Sequence, residues 1–270
     1  MRNDIEKKFP LPKAIAYVLL SVVVVWGTLF ISWWYHDYTV KRRTQDSRFT
    51  IQGIVSSCLD PDFLSSRQLA TILALATKEP KNLYAFDLQE AEMRCKSFPA
   101  IKTAHLSRLR PNAICISYEM RKPYVRMAEF ENVALDKEGY PLPLFPIYSP
   151  KRLPEVYLGL QSLLWNEQVA SDEFIVASEL LQYLDQVLPN TFRVSRIDTH
   201  NMRSVSRGRQ EIVLVLEGGV CRRYLRLHAS NYKKNIQHFL ALIPTLDLIS
   251  TQLGQIIDMR CYGFALVKSI

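Results

Sequence analysis

The run AIAYVLLSVVVVWGTLFISWW, from Ala14 to Trp34, holds 21 consecutive residues without a charge. Wound as a helix at about 1.5 Å per residue, such a run crosses the roughly 30 Å hydrocarbon core of a bilayer. Backbone inside lipid must satisfy its own hydrogen bonds, so helix is the conformation available to it. Residues 14–35 are therefore expected to form a transmembrane helix, with residues 1–13 as a cytoplasmic tail. A cleaved signal peptide would have a shorter apolar region ending in small residues. This run ends instead in Trp33, Trp34 and Tyr35, whose amphipathic rings suit a membrane interface. Arg2, Lys7, Lys8 and Lys13 precede the span and Lys41, Arg42, Arg43 and Arg48 follow it, so the basic residues do not orient it. The short tail and the long remainder favour an N-terminus inside and a C-terminus outside the cytoplasm.

The formal net charge of +8 could mark a nucleic-acid or membrane-surface partner. Its location favours membrane headgroups, because much of the excess flanks the apolar run. Arg222, Arg223, Tyr224 and Arg226 could stack on and pair with single strands, yet on an alternating strand they read more simply as one solvated face. No nucleic-acid partner is expected. The cysteines, Cys58, Cys95, Cys115, Cys221 and Cys261, are odd in number and contain no C-x-x-C pair. Most are expected to be buried apolar residues, with one bridge, for instance Cys221 to Cys261, left open.

Beyond a polar connector over residues 36–47, a first unit is expected over 48–126. FTIQG (Phe49 to Gly53) reads as a strand, followed by a loop up to Pro61. Leu69, Ile72, Leu73 and Ala76 fall at helical spacing behind Ser65 or Ser66 as N-cap. A second helix opens at Asp87 with Glu90 three residues on, as in a capping box, and buries Leu88, Ala91, Cys95 and Phe98. Ile101 to Leu109 and Ala113 to Arg121 then read as strands. The latter puts Ile114, Ile116, Tyr118 and Met120 on one face and Cys115, Ser117, Glu119 and Arg121 on the other. Strand, helix, helix, strand, strand suits two helices packed on one face of a small sheet.

Residues 127–270 read as a second α+β unit dominated by antiparallel strands. Val133 to Asp136 and Leu153 to Leu160 are strand candidates, and Glu173 to Leu188 is a helix with Phe174, Ala177, Leu181, Leu184 and Leu188 in one stripe. Phe192 to Asp198 is another strand. Glu211 to Glu217 and Val220 to Ala229 form a hairpin across Gly218-Gly219. A helix from Ser230 is interrupted or ended by Pro244, and Ile256 to Lys268 reads as one last strand.

Catalysis needs a nucleophile with its base, paired carboxylates in a cleft, or metal ligands at workable spacing. The histidines at 36, 105, 200, 228 and 238 are scattered, and no G-x-S-x-G, P-loop or dinucleotide fingerprint occurs. No enzyme activity, cofactor, metal or small-molecule substrate is expected. The remaining role for an anchored module with exposed strands is protein binding, because an edge strand offers unpaired backbone groups. The segment from Ile256 to Ile270 is the best edge, and Arg108 to Met127 the next.

The order of elements resembles the FtsQ/DivIB family of bacterial cell-division proteins along the whole chain. The resemblance to its POTRA domain rests on FTIQG, on NLYAFD from Asn82 to Asp87, and on FPAIKTAHLSRLRPNAICISYEMRKP with Pro111 and Pro123. The resemblance to its β domain rests on ALDKEGYPL, LPEVYLG and the terminal IDMRCYGFALVK. Cys261 stands where the family usually has tyrosine, and Tyr262-Gly263 come early. The resemblance implies a non-enzymatic, single-pass scaffold of the bacterial inner membrane, C-terminus periplasmic, enriched at the division septum. It implies FtsB- and FtsL-type partners, one of them adding a strand against the last strand of the chain. Carried over by motif, the partner-binding residues are Arg260, Tyr262, Gly263 and Phe264, with Asp258 orienting the turn. The alternative is another membrane-anchored POTRA protein acting in envelope protein assembly or translocation.

Overall fold

The computed structural model describes residues 11–58, 63–76, 80–148, 152–218, 221–249, 254–261 and 263–270. It begins with helix α1, Leu11–Gln45. The stretch Leu19–Gln45 is long and apolar enough to cross a membrane, and its most apolar window is nowhere covered by protein. Most of the segment expected as a connector is thus helical. Asp37 and Lys41 pair at 2.7 Å one turn apart, and the Thr39 and Thr44 hydroxyls donate to carbonyls of the preceding turn. The helix end is held rather than loose. Asn82 Nδ2 donates to the carbonyls of Arg43 (3.0 Å) and Asp46 (3.1 Å), at and just beyond the end of α1. Arg43 also lies 5.4 Å from the centre of the Tyr84 ring.

The first unit contains β1 (Gly53–Ser57), α2 (Ser66–Ile72), α3 (Leu88–Lys96), β2 (Ile101–Leu109) and β3 (Ala113–Met120). Its sheet has the order β1-β3-β2, with β1 parallel and β2 antiparallel to the central β3. FTIQG is not the first strand, which starts at its final glycine. Phe49 instead packs edge-on against Tyr84 at 5.0 Å, and its carbonyl accepts from Leu83 N–H, so this apolar pair closes a loop. Ser65 caps α2 and makes a capping box with Gln68. The helix ends at Ile72, short of Ala76, because Ala74 turns to a positive φ of 53°. Asp87 caps α3 alone, since the Glu90 carboxylate reaches Arg94 instead. Ile114, Ile116, Tyr118 and Met120 are all buried, as their alternation requires, against Leu69, Ala91 and Cys95 of the two helices. Burial pushes the Cys95 thiol up to about 11, which makes it an unreactive core residue.

Among the described residues the second sheet has nine strands in the order β12-β11-β10-β9-β8-β7-β4-β5-β6. They are β4 (Val125–Met127), β5 (Val133–Leu135), β6 (Pro141–Pro143), β7 (Glu155–Tyr157), β8 (Phe192–Asp198), β9 (Ile212–Gly218), β10 (Arg223–Leu227), β11 (Gln255–Asp258) and β12 (Leu266–Ser269). Helix α4 (Asp172–Val187) links β7 to β8, and α5 (Tyr232–Ile249) links β10 to β11. The sheet is mixed, because both helical crossovers return their strands parallel, as does the pairing of β4 with β7. The other pairings are antiparallel. Phe174, Ala177, Leu181 and Leu184 of α4 and Ile236 and Phe239 of α5 bury one face, over Ile197, Leu214, Leu225 and Ile257. Pro244 lies inside α5 rather than ending it. Arg223 corrects the reading of its neighbours as one solvated face. It alternates with Leu225 and Leu227 and is wholly buried, bonding Gln255 Oε1 at 3.3 Å.

The two sheets share a core. Ala134 of β5, Leu142 of β6 and Tyr148 turn away from α4 and α5 and into the core of the first unit. Arg121, expected on the strand face opposite Ile114 and Met120, is the centre of this junction. Its guanidinium donates to Asp136 Oδ2 at 2.7 Å and lies 4.0 Å from the Tyr140 ring centre, while its carbonyl accepts from the Tyr148 hydroxyl at 2.5 Å. Lys102 reaches Glu138 at 2.6 Å beside it.

Candidate functional site

The last strand expected over Ile256 to Lys268 is two strands. β11 ends at Asp258, the chain turns, and β12 returns antiparallel to it as the outer edge of the sheet. A single strand fails here because the Asp258 carboxylate takes the Arg260 N–H at 3.1 Å, and Gly263 adopts a φ of +77° that only glycine takes easily.

An ion network holds this turn. The Arg260 guanidinium forks onto Asp258 (2.7 and 2.9 Å), donates to the Gly208 carbonyl at 2.8 Å, and lies 3.3 Å from Glu211. Arg226 of β10 donates to Glu211 at 2.7 Å and stands 3.5 Å from Asp258. Burial alone would raise the Asp258 carboxyl, but the bonds from Arg260 and the charge of Arg226 outweigh it and hold the group below the usual carboxylate range. The hydrogen bonds to Asp258 hold Arg260 above its ordinary value in turn. Asn235 of α5 adds a clasp by donating to the Met259 carbonyl at 2.6 Å. Two arginines facing two carboxylates leave the cluster with no net charge, which fits it for fixing geometry.

Of the residues assigned to partner binding, Asp258 and Arg260 lie inside this network and Gly263 makes the turn. Phe264 projects 74% exposed, and Tyr262 lies outside the described residues. Glu211, Arg226 and Asn235 escaped the sequence reading. The charges of Glu211 and Arg226 were nevertheless visible on the outward positions of the expected hairpin. Cys221 and Cys261 do not pair: the first is buried, the second exposed, and both are free.

The backbone pattern of β12 follows from the ladder. Ile270 N–H donates to the Gly254 carbonyl at 3.0 Å, so alternate pairs, Ile256 with Lys268 and Asp258 with Leu266, are the hydrogen-bonded ones. Val267 and Ser269 therefore point their N–H and C=O groups to the open edge. All four residues of β12 are exposed, and the apolar Phe264, Leu266, Val267 and Ile270 cluster around it. Beside the turn runs a groove of about 770 Å³ between α5 and residues 259–261 and 263–265, lined by Asn231, Lys234, His238, Met259, Cys261 and Phe264 among others. Among the described residues no group of three or more His, Cys, Asp or Glu is placed to hold a metal ion.

No family model matches the chain. No curated protein matches it either.

Proposed function

We propose that this chain is a single-pass membrane scaffold of the FtsQ/DivIB type, which binds FtsB- and FtsL-type division proteins through its C-terminal edge strand. On this reading α1 is anchored in the bacterial inner membrane with its N-terminus cytoplasmic, and both sheets stand in the periplasm at the division septum. The protein helps control septal peptidoglycan synthesis by assembling other proteins and catalyses nothing itself. The first unit serves as a POTRA domain, a role supported by its strand-helix-helix-strand-strand order and by its sheet order β1-β3-β2.

The observation that carries the reading is β12. An open strand with outward backbone groups at Val267 and Ser269, amid exposed apolar side chains, is the template that strand addition requires. The Arg260 network and the Asn235 clasp hold the turn in place before a partner arrives, so less ordering cost falls on binding.

Co-purification from detergent tests this. The full chain is expected to retain FtsB- and FtsL-type proteins of its own source, and a chain lacking residues 266–270 to lose them while keeping its thermal transition. Undiminished retention by the shortened chain would refute the assignment. A fluorescent fusion is expected at midcell in dividing cells, and uniform envelope signal would contradict the septal role.

A further inference from the structure

The face of the large sheet opposite α4 and α5 carries a second site. A groove of about 400 Å³ crosses β4, β7, β8, β9 and β10 on this face, with Arg126, Arg193, Arg196 and Arg222 around it. A regular strand would send residues 193 and 196 to opposite faces. β8 is irregular between Val194 and Arg196, with Arg193 opposite Glu217 and Arg196 opposite Val215. Ser195 is the extra residue of a bulge, a device that re-aims side chains. Both arginines therefore stand on the open face.

Their natural partners are already engaged. Glu217, across from Arg193 in β9, accepts from the Ser195 hydroxyl at 3.0 Å and pairs with Arg222. Glu155, across from Arg196 in β7, pairs with Arg126. Arg193 donates to the Arg152 carbonyl at 2.5 Å, and Arg196 lies 5.5 Å from the Tyr157 ring centre. Burial holds the Asp198 carboxyl above its ordinary value, opposed by the bond it accepts from His200 N–H and by the more distant charge of Arg196. Among the described residues neither Arg193 nor Arg196 has a carboxylate within ion-pair distance. The Arg260 network on the neighbouring strands is balanced, whereas this groove holds four guanidiniums against two carboxylates.

We propose that this face binds an extended acidic segment of a partner protein, with a carboxylate seated between Arg193 and Arg196. The flanking Glu155 and Glu217 would repel an evenly charged polyanion, so the site admits a localised negative charge. Tyr224, Val215 and Leu153 line the same groove and offer apolar contacts to neighbouring side chains. Arg193 and Arg196 lie on β8, four strands across the sheet from β12, and the proposal stands or falls independently of strand addition there.

Fluorescence anisotropy tests it on the full chain in nanodiscs of zwitterionic lipid. The probe is a labelled ten-residue peptide of alanine and threonine with two central glutamates. It is expected to bind, and its glutamine counterpart to bind at least tenfold more weakly. Arg193→Gln with Arg196→Gln is expected to weaken binding by about tenfold, as loss of close charge pairs does. Arg67→Gln with Lys96→Gln, on the first unit, is expected to change nothing. Should the double glutamine variant lose its melting transition, Arg193→Lys with Arg196→Lys keeps the charge but not the fork, and a several-fold loss is expected. Equal affinity in the folded double variant overturns the proposal. So does tighter arginine-dependent binding to phosphatidylglycerol vesicles than to the peptide, because the face would then be a lipid site.

Discussion

The large sheet has two ends, and they are finished in opposite ways. At one end β6 carries Pro141 and Pro143, which lack donors, and its Leu142 is fully buried beneath the first unit. At the other end β12 has no proline, no strand among the described residues pairs with its outer side, and all its residues are exposed. Prolines and cover are the usual protection against unwanted strand pairing. The edge left apolar and open is the one at which the proposed strand addition would occur. The same contrast separates two arginines. Arg121 joins the two sheets, while Arg260 braces a turn at the free end.

If the covered end is structural, damage there should cost stability and little else. Arg121→Ala leaves Asp136, only 5% exposed, without its cation, and is expected to lower unfolding free energy by about 3–5 kcal/mol. Denaturant titration of the full chain in detergent measures this, and a loss well under 1 kcal/mol would show the junction to be superficial. Leu142→Ala opens a cavity at the same place and should cost about 3 kcal/mol. A cost confined to the second sheet, with the first unit's hydrogen exchange unchanged, would argue against a shared core.

The open end should respond more weakly in stability. Asp258→Asn is expected to cost about 1 kcal/mol at neutral pH. The Asp258 carboxyl is depressed in the folded state, so its contribution is complete above the unfolded value of about 3.9 and disappears as pH falls through the lower folded value. The difference between the native chain and the variant should therefore be flat from about pH 5 to 8 and shrink only below about pH 4. A difference that fades near neutrality would mean that another group controls the turn.

Local pattern made much of this architecture legible. The uncharged run, the capped helices and the alternation in β3 each report physics confined to neighbouring residues. Two signals were present but misread. A 16-residue helix between β7 and β8 implies a crossover, hence a parallel pair, although the antiparallel hairpin dominated the reading. Arg223 sits at the inward parity of Leu225 and Leu227, yet its charge suggested solvent. Other features were not local at all. Nothing near Ala134 or Leu142 tells that these residues fill the core of a different sheet, and the Arg193 and Arg196 pair depends on a bulge visible only in the register. At the candidate site Asp258, Arg260 and Gly263 were readable as turn chemistry, whereas Asn235 and the Gly208 carbonyl reach the turn from distant elements.

The most direct test of the proposed docking edge separates its two backbone parities. Val267→Pro removes an outward donor and no ladder bond to β11, while Lys268→Pro removes a ladder bond. Co-purification of FtsB- and FtsL-type proteins with the full chain should be abolished by Val267→Pro, with the thermal transition of the scaffold unchanged. Normal retention by a folded Val267→Pro chain would contradict strand addition at β12.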